Sequence, residues 1–95
     1  MSDAKHEAFI AGVKFRPGAE GRLQSLADGA LLTLDPEPDN QYDPDAVRVL
    51  HEGFHLGYVP RELSAEVATL IKHRRIGPCV KRSGNRMDIH FDGER

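Results

Sequence analysis

Cysteine is nearly absent. The 95-residue chain has one, Cys79, so no disulfide can form within it. That usage fits a reducing compartment, and a cytoplasmic location is expected. Cys79 reads either as a nucleophile or as a small buried strand residue, the usual place of a free thiol. No long apolar run is present, which excludes an ordinary membrane-spanning helix. The first residues, Met1 to Glu7, are polar with no apolar segment after their charge, so no signal peptide is expected. Strong net charge is missing too. The 13 Lys and Arg against 15 Asp and Glu leave −2 at pH 7, which on average disfavours a polyanionic partner. There are no internal repeats and no low-complexity linker.

Several kinds of chemistry lack their residues. His51 and His55 are four apart, but on a hairpin rather than a helix, so the spacing does not put them on one face. No thiolate pair and no Asp-x-Asp-x-Asp-Gly calcium loop occur, so no metal and no cofactor is expected. Gly12, Gly18 and Gly21 are not followed by the lysine and hydroxyl residue of a phosphate-cradling loop. Cys79 with a histidine, or Ser64 with His55, could be paired on paper as a small hydrolase, but neither sits in a nucleophile elbow. The chain is not expected to be an enzyme.

What is present is uneven. From Asp35 to Asp45 every charged residue is acidic, and from Lys72 to Arg86 every charged residue is basic. A lopsided molecule can hold a polyanion on one face despite its average, or carry two solvated faces. The length allows one domain with a modest core that buries about two thirds of the unfolded surface. Residues 1–7 are expected to form a flexible tail and residues 8–95 a single domain.

Ala8 to Phe15 alternates, which predicts a first strand with Phe9, Ala11, Val13 and Phe15 on one face. Gly12 within it suggests a bulge or a close backbone approach. Leu23 and Leu26 suit a short helical turn. Ala30 to Leu34 predicts a second strand, apolar enough to be covered on both faces. Pro36, Pro38 and Pro44 keep the acidic stretch irregular. Ala46 to Leu50 and Phe54 to Val59 predict a hairpin turning at His51-Glu52-Gly53. Leu63, Val67, Leu70 and Ile71 predict a helix over 61–73, entered at Pro60 and stopped by Gly77-Pro78. Cys79 to Arg82 and Met87 to Phe91 predict a last hairpin. The fold class is mainly β with one or two helices: a small OB-like barrel of about six strands, since closure removes edges.

Aromatic residues are interleaved with basic ones at Lys14-Phe15-Arg16 and at Tyr58 to Arg61 after the fourth strand, and Tyr42 stands beside Asp43 before the third. An exposed ring beside a cation is the minimal unit for single-stranded nucleic acid. The ring stacks on a base for about 1–3 kcal/mol and the cation meets phosphate. Plainer roles compete. Phe15 would share a core face with Phe9 and Val13, Tyr42 would plug its loop, Tyr58 would cap a strand, and Arg61 would cover helix surface. Asp43 would repel phosphate, so it belongs in such a pocket only where the ligand brings a hydrogen-bond donor.

The order Gly12-Val13-Lys14-Phe15, Gly29 to Leu34, Asn40-Gln41-Tyr42-Asp43-Pro44-Asp45-Ala46-Val47-Arg48-Val49 and Leu56-Gly57-Tyr58-Val59-Pro60-Arg61 resembles the HIRAN domain family over about residues 8–92. The resemblance is to a standalone bacterial or phage-type member; other members sit at the N-terminus of DNA-remodelling ATPases of fork repair. It implies an OB-like barrel that binds single-stranded DNA at a 3′ end, with a helicase or nuclease as partner and no membrane. Carried over, Lys14 meets phosphate, Phe15 and Tyr42 stack on bases, Asp43 accepts from the 3′-hydroxyl, and Tyr58 and Arg61 bind phosphate. The chain departs from the pattern at Gln41, where relatives often have proline, at Phe15, where some have tyrosine, and at Arg16, where those have a second aromatic. A protein-interaction module using the same surface is the other reading.

Overall fold

The computed structural model describes residues 3–93. In chain order the elements are β1 (Asp3–Phe9), a 3-10 turn (Val13–Phe15), α1 (Ala19–Ser25), β2 (Leu31–Pro36), β3 (Val47–His51), β4 (Phe54–Tyr58), α2 (Arg61–Lys72), β5 (Ile76–Lys81) and β6 (Arg86–Asp92). The six strands form one antiparallel sheet in the order β1-β6-β5-β2-β3-β4. The fold is mainly β with two helices, as expected. No continuous ladder closes the sheet. Instead one rung joins its two edges: Ala11, just past β1, exchanges both backbone hydrogen bonds with Tyr58 of β4, at 2.8 and 2.9 Å.

The first strand is earlier than the alternation predicts. Residues 3–7, expected in a tail, pair with β6, Asp3 opposite Asp92 through Phe9 opposite Arg86. Residues 1 and 2 lie outside the described residues. This strand buries no residue fully, so its polar sequence hides it. His6 ties it down, stacked on Phe91 with ring centroids 4.8 Å apart and with Nε2 2.8 Å from Glu66 of α2. Gly12 ends the extended run rather than bulging it. Its φ of 74° is open to glycine at no cost and turns the chain into Val13–Phe15. The expected face therefore splits, with Val13 buried and Phe9 and Phe15 66% and 76% exposed.

Val47 and Val49 of β3, Leu56 of β4, Met87 and Ile89 of β6, Leu23 of α1 and Val67 of α2 make the core. α2 begins after Pro60 as expected and buries Val67 and Leu70. Gly77-Pro78 lies within β5, not past the helix end; the chain instead leaves α2 through Arg74 at φ 58°. β2 alternates cleanly, with Leu32 buried and Leu31 exposed, so one face is covered and not both. No described helix is long and apolar enough to cross a membrane.

Candidate nucleic-acid interface

The loop from β2 to β3 is irregular in backbone but not loose. Asn40 organises it. Its side-chain oxygen accepts from the backbone N–H groups of Tyr42 and Asp43 at 2.8 and 2.9 Å, and its amide donates to Glu37 Oε1 at 2.9 Å. Asp43 then repeats the device, accepting from the Asp45 N–H at 2.9 Å. The loop is stapled at its base, where the Glu37 N–H donates to the Ala46 carbonyl at 2.8 Å.

Two other elements meet this loop. Ser64, buried in the first turns of α2, shares its one hydroxyl proton between Asp43 Oδ2 and the Arg61 carbonyl, each 3.0 Å away. Tyr58, at the end of β4, donates its hydroxyl to Glu37 Oε1 at 3.0 Å. Between them lies a pocket of about 330 Å³ lined by Ala11, Asn40, Tyr42, Asp43, Ala46, Tyr58, Val59 and Arg61. Gly57 makes the floor possible. A Cβ there would collide with the Ala11 carbonyl and stand 2.8 Å from Ile10 Cγ2, so the Ala11–Tyr58 rung needs glycine beside it.

Four of the six expected site residues thus share one pocket: Tyr42, Asp43, Tyr58 and Arg61. Lys14 and Phe15 do not line it. They stand exposed on the 3-10 turn that follows Ala11, with Lys14 Nζ 5.4 Å from the Phe15 ring centroid. Phe15 is therefore not core. Tyr42 is not a plug either, being 80% exposed with no hydroxyl partner among the described residues. Tyr58 is half-buried, and its one hydroxyl proton is already given to Glu37. Arg61 makes no ion pair among the described residues.

The electrostatics follow from these contacts. The Asn40 amide, helped by Tyr58 and Arg48, holds the Glu37 carboxyl below the usual carboxylate range. Burial, then the Glu37 hydrogen bond, pushes the Tyr58 hydroxyl up. Burial and the nearby Arg16 charge push His55 down, with its Nε2 3.0 Å from the Gly57 carbonyl oxygen. Asn40, Glu37 and Ser64 complete the site and are not among the six site residues expected from the sequence, where Ser64 stood only as a paper partner of His55. Asn40 carried a signal, since Asn three residues before Asp-Pro favours a side-chain-capped turn. Ser64 carried none, because its contact spans 21 residues.

Nucleophilic chemistry finds no support. Cys79 is buried with its Sγ 3.8 Å from Met87 Sδ, and burial followed by the Asp88 charge pushes its thiol up to about 12. Ser64 bonds Asp43 and the Arg61 carbonyl, not His55. No group of three or more His, Cys, Asp or Glu among the described residues could hold a metal ion.

Residues 4–92 match the model of the HIRAN domain. A Fanconi-associated nuclease 1 homolog from rice (Oryza sativa subsp. japonica) is 38% identical over 74 residues, covering 74% of this chain and 7% of the relative. The chain therefore spans a small fraction of that protein's length. The crystal structure of the HIRAN domain of human HLTF superposes with a TM-score of 0.71 at 18% identity, over 92% of this chain and 72% of that one. A Lactobacillus plantarum protein superposes with a TM-score of 0.69 at 20% identity, over 96% of this chain and all of that one.

Proposed function

Because the chain belongs to the HIRAN family, a family of DNA-binding domains, we propose that it is a non-catalytic module that holds single-stranded DNA by a free 3′-hydroxyl end. One observation carries this reading. Asp43 stands in a pocket beside the exposed Tyr42 ring, aimed by the Asp45 N–H on one oxygen and by Ser64 on the other. Each of those oxygens keeps a lone pair for a further donor. A terminal hydroxyl brings that donor, and a terminal phosphate brings only repulsion.

The remaining roles follow from position. Tyr42 stacks on the terminal base. Arg61, a lining residue that makes no ion pair among the described residues, meets the first phosphate. Tyr58 supplies a wall, because its hydroxyl would have to leave Glu37 to reach phosphate. Lys14 and Phe15, on the turn that follows Ala11, supply a cation for phosphate and a ring for a base outside the lining. A nuclease or helicase acting on the same end is the partner class this activity would serve.

Fluorescence anisotropy with matched oligonucleotides ending in 3′-hydroxyl or 3′-phosphate tests the reading. The hydroxyl form should bind more tightly, and Asp43→Ala should erase the difference. Equal affinity for the two ends in the unaltered protein would falsify end recognition. A second reading draws on the carboxylates Glu37 and Asp39, which line an adjoining pocket of about 390 Å³ with Tyr42 and Tyr58. A donor-rich protein segment would fit there. Absence of DNA binding at low salt, with Tyr42→Ala still folded, would favour it.

A further inference from the structure

The end pocket does not stop at its own rim. Ala11 and Arg61 also line a second groove of about 560 Å³, running between the end of β1 and the start of α2. Phe9 stands in it, 66% exposed. The other outward residues of β1 are Asp3, Lys5 and Glu7, so Phe9 alone breaks a polar edge. Across the groove Leu63 supplies apolar surface. Two carboxylates border it. Glu7 is offset by Lys5 at 3.3 Å and Arg86 at 3.6 Å, and Glu62 stands at the far side. Arg61, at the junction of the two cavities, makes no ion pair among the described residues.

We infer that this groove is a second nucleotide subsite, in which Phe9 stacks on a base upstream of the 3′ end while Arg61 holds the phosphate between the two positions. The inference rests on the end-binding reading above. Its occupant is the continuing DNA strand, because the groove opens from the end pocket and shares a wall with it. Stacking on an exposed ring is tolerant of sequence, so the subsite adds affinity rather than base preference. Lys14 and Phe15 stand on the 3-10 turn and line neither cavity, so the groove does not duplicate them.

The test is a length ladder, dT2 to dT8 with 3′-hydroxyl ends, against the unaltered protein, Phe9→Ala and Phe9→Tyr. Affinity should rise at one step by about fivefold or more, the factor that corresponds to one stacked base. Phe9→Ala should remove that step and leave the shortest oligonucleotides unaffected. Phe9→Tyr should restore it. A ladder without a step, a step that survives Phe9→Ala, or a loss equal at every length overturns the subsite. Equal binding of 3′-hydroxyl and 3′-phosphate ends removes the end reading by itself, and a Phe9-dependent step seen on both kinds of end would keep the groove as a strand-binding site. A chain that binds none of the ladder at low salt overturns both.

Discussion

On the β1–β6–β5 side of the sheet, charge is consumed inside the molecule. Arg82 bonds Asp88 at 2.8 Å and Asp28 at 3.4 Å, Lys5 reaches Asp88 at 3.5 Å, and Arg86 faces Glu7 at 3.6 Å. Even Lys81 gives its ammonium to the Leu26 carbonyl. At the pocket end the pattern reverses. Asp43 and Glu37 accept chiefly from neutral donors, with Arg48 beside Glu37, and Lys14 and Arg61 make no ion pair among the described residues. Within the basic stretch Arg75, Lys81, Arg82 and Arg86 are bonded inside the fold, whereas Lys72 and Arg74 are exposed and make no ion pair among the described residues. The stretch that reads as acidic holds part of the candidate site, where Lys14 and Arg61 from other elements make no ion pair among the described residues. Charge available to a ligand is what remains after the fold has paired the rest.

Changes at the seam should damage both regions together, and they should be the most severe. Gly57→Ala places a methyl group against the Ala11 carbonyl and should cost about 3 kcal/mol, with DNA binding lost as well. Urea unfolding and anisotropy check the two effects. A fully stable Gly57→Ala protein would show that the Ala11–Tyr58 rung is dispensable.

Elsewhere the regions should separate. Asp88→Asn should lower stability by about 1–3 kcal/mol and leave DNA affinity alone. The effect carries a pH signature. Arg82 and then Lys5 hold the Asp88 carboxyl below its usual value, so its contribution is present above the ordinary carboxylate range and is lost as pH falls through the lowered folded value. The melting temperature of the unaltered protein should therefore approach that of Asp88→Asn below about pH 4. Parallel pH profiles would contradict the assignment.

Tyr42→Ala should do the opposite, costing about 1–3 kcal/mol of binding with no change in unfolding midpoint. Smaller still is Ser64→Ala, expected to reduce discrimination between 3′-hydroxyl and 3′-phosphate ends by about 1 kcal/mol, since it frees Asp43 to turn. The finest distinction lies in salt. Arg61→Gln should lower the slope of log affinity against log salt by about one, and Arg82→Gln should leave it unchanged. An equal drop for both would dissolve the contrast between free and consumed cations.

How much of this was readable depended on range. The β3–β4 hairpin and α2 follow from local alternation, turn residues and helical spacing, and the structure has them within a residue or two of the expected limits. β1 was misplaced because its evidence is not local. Asp3–Phe9 becomes a strand through β6 and through His6 on Phe91 and Glu66, all far along the chain. The same rule divides the site. Tyr42 and Asp43 stand out in a turn-rich stretch, and Tyr58 and Arg61 beside a strand end. Glu37 as the partner of Tyr58, and Ser64 as the partner of Asp43, exist only after folding.

The Ala11–Tyr58 rung has a consequence for timing. It is the only pairing among the described residues between the two edges of the sheet, and both of its residues line the proposed pocket. A ligand seated there clamps the point at which the sheet would first part. Occupancy should therefore slow amide exchange at Ala11 and Tyr58 beyond the residues it touches, reaching β1 and β4 together. The clasp that shapes the site would then act as a timer, setting how long the bound end stays held by how seldom one rung opens.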